Sequence, residues 1–259
     1  MSDLVREYMT GQLRPGHATL LPGFTARSAL TLATLPHDRD VRYGAHERCR
    51  FDIFPAGPGA PMVAFFHAGY WQGRDKDMFL FLAEPFVHAG IGWAAVNYPI
   101  CPDVSFDTLV DAAKAAMPAV RAHAGPSHLV AAGHSAGGHI ATELGLSGLA
   151  DAVVALSGVY DLTPLLETPL NDALRLGSAS AHRHSPLFRA GSADRPACFI
   201  VGGDETDAFQ SQTAQMQAGW PGSTAVIGPG ADHFTLLDQL ADERSAVHQA
   251  AIRLVRSLA

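Results

Sequence analysis

The pentapeptide GHSAG at 133–137 places Ser135 where a serine could act as a nucleophile. An apolar run, LVAAG, leads into it and a helical pattern, GGHIATELGL, follows, so the serine lies on a predicted strand-to-helix turn. Such a turn lifts the side chain above the sheet edge, and the helix start directs amides at the site. The small residues two positions before and after the serine let the backbone pass without a clash. This context favours a nucleophile over a packing turn with a capping serine.

A serine becomes nucleophilic beside a base that takes its proton, and the base needs an orienting group. His233, in the run GADHF, follows the last predicted strand directly. A G-x-S-x-G serine has its histidine at that place in the chain order. The other histidines after the serine lie inside the next helix, in an irregular segment, or on the expected surface of a late helix: His139, His182, His184 and His248. We therefore predict His233 as the general base.

The orienting acid is expected after the preceding strand, in the run VGGDETDAF. It offers Asp204, Glu205 and Asp207, and position alone does not separate them. One of the three would orient His233. The others would carry negative charge in the first turn of the next helix, which stabilises the positive end of its dipole.

The run HAGYW follows an apolar stretch and is placed to supply an oxyanion hole. The backbone amides of Ala68 and Gly69, with that of Ala136, are the candidate donors. Alternatively, the glycine only makes a turn and the two aromatic residues belong to the core. Next to a serine elbow, the oxyanion hole is the favoured interpretation. Three aromatic side chains are predicted to line the substrate pocket: Tyr70, Trp71 and Tyr160.

Short apolar runs alternate with longer stretches of helical spacing, which predicts an α/β protein with a mostly parallel central sheet and helices on both faces. Residues 41–54 alternate as an antiparallel arm at the start of the sheet, and Ser105 is a plausible N-cap. The predicted strands are 61–67, 92–98, 128–134, 151–157, 196–203 and 223–229. The predicted helices are 75–88, 105–124, 135–146, one between the last two strands, and most of the chain from 234 onward.

We expect a single domain over 1–259. Residues 1–40 show little periodicity and are predicted to form an arm packed over the body. Residues 158–195 contain several prolines and no strand pattern, and are predicted to form a small cap insertion. No repeat or linker divides the chain.

Composition excludes several classes of protein. The 259 residues carry a formal net charge of −7 and no basic run, which argues against nucleic-acid binding. No apolar run reaches the length of a membrane span, and no secretory signal is visible. Three widely spaced cysteines fit reduced thiols in the cytoplasm: Cys49, Cys101 and Cys198. We expect a small-molecule substrate and no membrane partner, and leave a homodimer open.

Metal and cofactor motifs are lacking in the sequence. It contains no H-E-x-x-H run and no zinc-type Cys/His spacing, although it has 13 histidines. The glycine-rich run GHSAGGH lacks the lysine of a phosphate loop and the G-x-G-x-x-G of a dinucleotide site. We therefore expect no metal and no cofactor.

These motifs together resemble the arylformamidase (kynurenine formamidase) branch of the α/β-hydrolases, near the hormone-sensitive-lipase-like esterases. The resemblance covers roughly residues 41–240 and includes HAGYW, where the family has H-G-G-x-W. It also includes RFDIFPAG, VNYPICPDV, GHSAGGHIA, LSGVYDLTPLLETPLN, VGGDETDAF and GADHF, in the family's order. The resemblance implies the α/β-hydrolase fold.

The resemblance also implies residue roles. The family's nucleophile falls on Ser135 and its histidine on His233. Its acid lies four residues before a phenylalanine, which makes Glu205, before Phe209, the first candidate. The sequence departs from the family at Ala68, where glycine is usual. If that position needs a positive φ, alanine would add about 1 kcal/mol of strain.

The resemblance implies hydrolysis of N-formyl arylamines such as N-formylkynurenine, through an acyl-enzyme. The alternative is a carboxylesterase acting on small aryl or alkyl esters. A remoter alternative is a receptor or binding module that keeps the three residues without turnover.

Ser135→Ala should leave a folded protein whose hydrolysis is slower by roughly a thousandfold or more, because the nucleophile is lost while binding remains. The measurement is kcat/KM together with the melting temperature. Near wild-type turnover by the purified variant would contradict the whole mechanism.

Overall fold

The computed structural model describes residues 3–13 and 16–258. Its centre is one eight-stranded sheet with the strand order β1-β2-β4-β3-β5-β6-β7-β8. β1 and β2 pair antiparallel, as do β2 and β4, and all other pairs are parallel. The strands are β1 Asp38–Arg42, β2 Arg50–Phe54, β3 Met62–Phe66, β4 Gly92–Val96, β5 Leu129–His134, β6 Ala152–Leu156, β7 Ala197–Gly202 and β8 Thr224–Gly228.

The sequence prediction of the sheet is confirmed. Five of the six predicted parallel strands form within one residue of their predicted ends, β4 ends two residues early at Val96, and the antiparallel arm pairs Val41 with Phe51. The strands β3 to β7 are buried along their whole length. Continuous apolar runs suit such strands because helices cover a parallel sheet on both faces.

Ten α-helices are found in the described residues. They are α1 Asp3–Tyr8, α2 His17–Thr34, α3 Ala83–His88, α4 Phe106–Ala124, α5 Ala136–Leu146, α6 Asn171–Leu174, α7 Ser178–Arg183, α8 Asp207–Gly219, α9 Leu236–Ala241 and α10 Ala246–Arg256. The predicted cap on α4 is confirmed, since the Ser105 hydroxyl accepts the amide of Thr108 at 3.2 Å. One core lies between the sheet and α4, α5 and α8, and the other between the sheet and α2, α3, α9 and α10.

Two helix predictions need correction. The predicted helix 75–88 is α-helical only in α3; before it come two single 3₁₀ turns, Lys76–Met78 and Leu80–Leu82. Phe79, between them, leaves the helical region at φ −119° and ψ 10°. In the first 40 residues α2 was not predicted, because it is weakly amphipathic and contains Pro22.

The segment 158–195 holds α6, α7 and two 3₁₀ turns, and no strand. It packs against α5 and α8. Gln72 donates from Nε2 to the carbonyl of Leu170 at 2.9 Å, so the segment also contacts the loop after β3. Within residues 3–13 and 16–258, none of the helices is both long and apolar enough to cross a membrane.

The start of α5 crosses the end of β3 at very short range. A Cβ built on Gly137 would lie 1.9 Å from the carbonyl oxygen of Phe66. A Cβ on Gly133 would lie 2.1 Å from the carbonyl oxygen of Gly137. Only hydrogen fits at either position, so the two outer glycines of GHSAG are required by backbone packing.

Gly137→Ala should therefore destabilise the fold by about 1–3 kcal/mol, because β3 must move away from α5. Thermal unfolding measures this. Gly23→Ala is the matched control: Gly23 is exposed in α2 and nothing lies within 4 Å of its added Cβ. Alanine favours helix over glycine by up to about 1 kcal/mol, so the control should be neutral or stabilising. Equal melting temperatures for the two variants would contradict the close crossing.

Candidate active site

Ser135 lies between β5 and α5, at the carboxyl end of the parallel strands. Its backbone has φ 58° and ψ −118°, a conformation that a non-glycine residue rarely adopts. The amide of Ser135 donates to the carbonyl of Leu156 at 2.8 Å, which holds the turn against β6. Only 2% of the residue is exposed. This is the strained strand-to-helix turn that the sequence predicts.

Glu205, after β7, has a side chain with no exposed surface. Its Oε2 accepts from Nδ1 of His233 at 2.7 Å. Its Oε1 accepts from the Ser157 hydroxyl at 2.5 Å and from the Gly202 amide at 2.7 Å. Three donors thus offset the desolvation of one buried carboxylate.

The other two acid candidates lie elsewhere. Asp204 and Asp207 are exposed, and Asp207 is the first residue of α8. Glu205 is therefore the acid, of the three, that the structure brings to His233.

His233 follows β8 and sits among aromatic rings. Because Nδ1 donates to Glu205, Nε2 is left as the acceptor on the neutral ring. The ring centroids of Phe209 and Phe234 lie 4.8 and 5.2 Å from that of His233. The ring of His134 lies 4.6 Å away, and burial holds the pKa of His134 well below its usual range. This neighbour is neutral at neutral pH and does not oppose a positive charge on His233.

The remaining histidines have structural contacts. His139 donates from Nε2 to a backbone carbonyl at 2.8 Å, and burial lowers its pKa to about 3. His248 was predicted on the surface, which is wrong: it is buried and donates to the carbonyl of Leu240 at 2.9 Å. His184 is also nearly buried and contacts Asp107.

The loop after β3 has an unusual backbone. Gly69 has φ 131°, and a Cβ there would lie 2.2 Å from the carbonyl oxygen of Gly73. Ala68 is not among the described residues with positive φ, so the strain considered for that alanine does not arise. The strain falls instead on Tyr70 and Trp71, with φ of 51° and 60°.

The three candidate oxyanion donors have unused amides. Within the ranges that the structure describes, the backbone N–H groups of Ala68, Gly69 and Ala136 donate to no protein acceptor. Buried backbone donors are normally paired, so these amides remain available to a ligand oxygen.

Arg48, which the sequence analysis did not identify as a site residue, stabilises this loop through hydrogen bonds. It donates from Nη2 to the carbonyl of Arg74 at 2.7 Å and from Nε to the carbonyl of Tyr98 at 3.0 Å. His67 donates from Nδ1 to the carbonyl of Ala68 at 2.7 Å. Burial lowers the pKa of His67 to about 4, so the ring is neutral beside the guanidinium of Arg48.

The predicted pocket aromatics are placed differently from one another. Tyr70 is half-buried and donates its hydroxyl to the carbonyl of Tyr8. Trp71 is fully buried, with ring centroids 5.3 Å from Phe106 and 5.2 Å from His139. Its indole packs toward α4 and α5, and the prediction that Trp71 lines the substrate pocket stays a prediction.

Tyr160 is likewise fully buried, with its ring 5.5 Å from that of Phe199. That Tyr160 lines the substrate pocket also stays a prediction.

Ser157 is a site residue that the sequence reasoning missed. It follows β6 with φ 47° and donates its hydroxyl to Glu205, as described above. The only signal was its place in the run LSGVYDL, directly after a predicted strand. A buried serine after a strand is common, so the partner could not be inferred.

The chain belongs to the alpha/beta hydrolase fold family, which its residues 63–220 match. It is accordingly a hydrolase. Among curated proteins it is 30% identical to the kynurenine formamidase of Danio rerio, over 92% of this chain and 88% of that one. It is 27% identical to the kynurenine formamidase of Salmo salar, with the same coverage of each chain. The resemblance drawn from the motifs is confirmed.

Solved structures agree on the fold. A candidate thioesterase from Silicibacter sp. TM1040 has a TM-score of 0.89 and 27% identity, over 99% of this chain and 100% of that one. An esterase from Pyrobaculum calidifontis has a TM-score of 0.75 and 18% identity, over 93% of each chain.

Glu205→Gln should lower kcat/KM by roughly a hundredfold or more, because a neutral amide no longer stabilises the protonated His233. Asp204→Asn and Asp207→Asn are matched controls that remove one carboxylate charge without touching the histidine. Both should stay within a few-fold of the wild type. If Asp204→Asn is the most damaging of the three, the acid has been misassigned.

Proposed function

We propose that the chain is a serine hydrolase of the arylformamidase type that works through an acyl-enzyme. Ser135 is the nucleophile, His233 the general base and Glu205 the group that orients the imidazole. The observation that carries this proposal is the buried hydrogen bond of 2.7 Å between Glu205 and His233, whose ring contacts that of His134, the residue before the strained Ser135.

The reaction follows from these positions. Oγ of Ser135 attacks the carbonyl carbon of the substrate while Nε2 of His233 takes the hydroxyl proton. The oxyanion that forms is bound by the free amides of the loop after β3 and of Ala136. His233 then gives its proton to the leaving nitrogen or oxygen. Water, deprotonated by the same imidazole, releases the acyl group and restores the serine.

A small acyl group suits this site. Only 2% of Ser135 is exposed, and the candidate oxyanion donors Gly69 and Ala136 have no side chain larger than a methyl group. A formyl group is the smallest acyl group that can be transferred. The relatives named kynurenine formamidase support the same choice, and we propose N-formyl arylamines such as N-formylkynurenine as substrates.

The second candidate is a carboxylesterase for small aryl or alkyl esters. The same nucleophile and oxyanion hole would serve, and an alkoxide or phenoxide leaves more readily than an arylamine. The likeness to a candidate thioesterase at 27% identity favours this alternative. A cytoplasmic location, a homodimer and a single domain with a cap insertion stay predictions.

Rates on N-formylkynurenine and phenyl acetate, measured side by side, separate the two candidates. We expect kcat/KM for N-formylkynurenine in the ordinary enzyme range, about 10⁴ M⁻¹ s⁻¹ or higher. The Ser135→Ala protein is the blank, and a fluorophosphonate probe reports whether the serine is activated. Turnover of the ester alone would favour the second candidate. No labelling and no turnover would refute both.

A further inference from the structure

The side chain of Arg74 lies between two loops of the site, the loop after β3 and the loop that carries His233. The guanidinium carbon of Arg74 lies 5.3 Å from the ring centroid of Phe234, the residue after His233. On the other side, Cγ of Arg74 lies 3.2 Å from where a Cβ on Gly69 would be. The Arg74 side chain therefore contacts both loops, with its stem at the loop after β3 and its guanidinium at the residue after His233.

The guanidinium of Arg74 has no counter-ion. In residues 3–13 and 16–258 it donates no hydrogen bond to a protein acceptor and forms no salt bridge, whereas Arg48 pairs with Asp75. Arg74 is half-buried, and burial lowers its pKa. A partly desolvated guanidinium keeps its charge and carries five N–H donors, so leaving it unpaired is unfavourable. Contact with the face of Phe234 offsets only part of this.

The backbone conformation of Arg74 is unusual, and a hydrogen bond to its carbonyl stabilises it. Its φ is 69°, a left-handed value that an arginine rarely adopts. Its carbonyl accepts from Arg48 at 2.7 Å, as described above. This strained backbone conformation, stabilised by the hydrogen bond from Arg48, positions the Arg74 side chain near Phe234 rather than in open solvent.

A second unused donor or acceptor lies nearby. The ring of His17 packs 4.4 Å from that of Phe234, and its Nε2 is buried with no partner in the described chain. The acid beside them, Asp232, already accepts from the amides of Phe234 and Thr235 through Oδ1. The loop thus presents cationic and polar nitrogens at the site, while its own carboxylate is engaged by the backbone.

We propose that Arg74 binds a carboxylate of the substrate, so that this hydrolase selects anionic amides or esters over neutral ones. The guanidinium fork matches a carboxylate in a bidentate pair. N-Formylkynurenine carries an α-carboxylate in addition to its formamide. This inference rests on the proposed function only in taking the ligand to occupy the same site.

Binding of benzoate and benzamide tests the carboxylate site without any turnover. The two probes differ in charge and hardly in shape, and ligand-detected NMR measures their weak dissociation constants. Wild-type protein should bind benzoate more tightly than benzamide. Arg74→Gln should weaken benzoate binding about tenfold, since a charge-assisted pair is lost, and Arg74→Lys should restore part of it.

Arg27→Gln is the matched control, because the guanidinium carbon of Arg27 also lies over a phenylalanine, 4.0 Å from the ring centroid of Phe81. It should bind both probes as the wild type does. Equal affinities of wild-type protein for the two probes would overturn the proposal, as would unchanged benzoate binding in a folded Arg74→Gln protein.

A comparison of two substrates that differ in charge then tests whether this carboxylate site affects catalysis. The ratio of kcat/KM for N-formylkynurenine to that for its α-carboxamide should fall about tenfold in Arg74→Gln and stay unchanged in Arg27→Gln. An unchanged ratio in Arg74→Gln would overturn the selection by charge. If benzoate binding depends on Arg74 but N-formylkynurenine is not hydrolysed, the carboxylate site stands and the proposed substrate is wrong.

Discussion

The contact between α5 and the end of β3 is the constraint on which the rest of the site depends. The backbone at Gly137 lies against the carbonyl of Phe66 so closely that no side chain could be inserted. This contact brings the loop after β3 alongside the start of α5. Ala68, Gly69 and Ala136, whose amides are the candidate oxyanion donors, therefore lie on the two segments that this contact brings together, and Ser135 joins the strand to the helix with a positive φ. The close packing that requires glycine at position 137 thus also places these candidate donors.

The second organising feature is a single buried carboxylate. Glu205 is held by donors at the ends of three neighbouring strands: Ser157 after β6, Gly202 at the end of β7 and His233 after β8. An ionised group away from water needs such partners, so the carboxylate joins the three loops and sets the ring plane of the histidine. The acid thus supports the local fold and the chemistry together.

Charge is distributed unevenly around these groups. The nearby histidines are neutral because burial depresses the pKa of His67, His134 and His139. Protonation of His233 during the reaction therefore meets no fixed positive ring in contact with it. The carboxylate of Glu205 is engaged by three donors and Arg48 pairs with Asp75, whereas the guanidinium of Arg74 has no counter-ion among the described residues, and such a cation has a strong effect on which ligands enter.

The sequence by itself determined the sheet, the elbow turn and the histidine that the structure pairs with Glu205. Apolar runs of strand length and helical spacing depend on local patterns, and the positions of Ser135 and His233 follow from chain order relative to those strands. It did not separate Glu205 from its two neighbours by position; the resemblance to a family did, and the structure brings the same residue to His233. Only the tertiary structure decided that Ser157 supports that acid, that Trp71 and His248 are buried, and that Arg74 lies against Phe234 with no counter-ion among the described residues. These properties depend on contacts between residues far apart in the chain, and on backbone angles at single positions, neither of which leaves a periodic signal in the sequence.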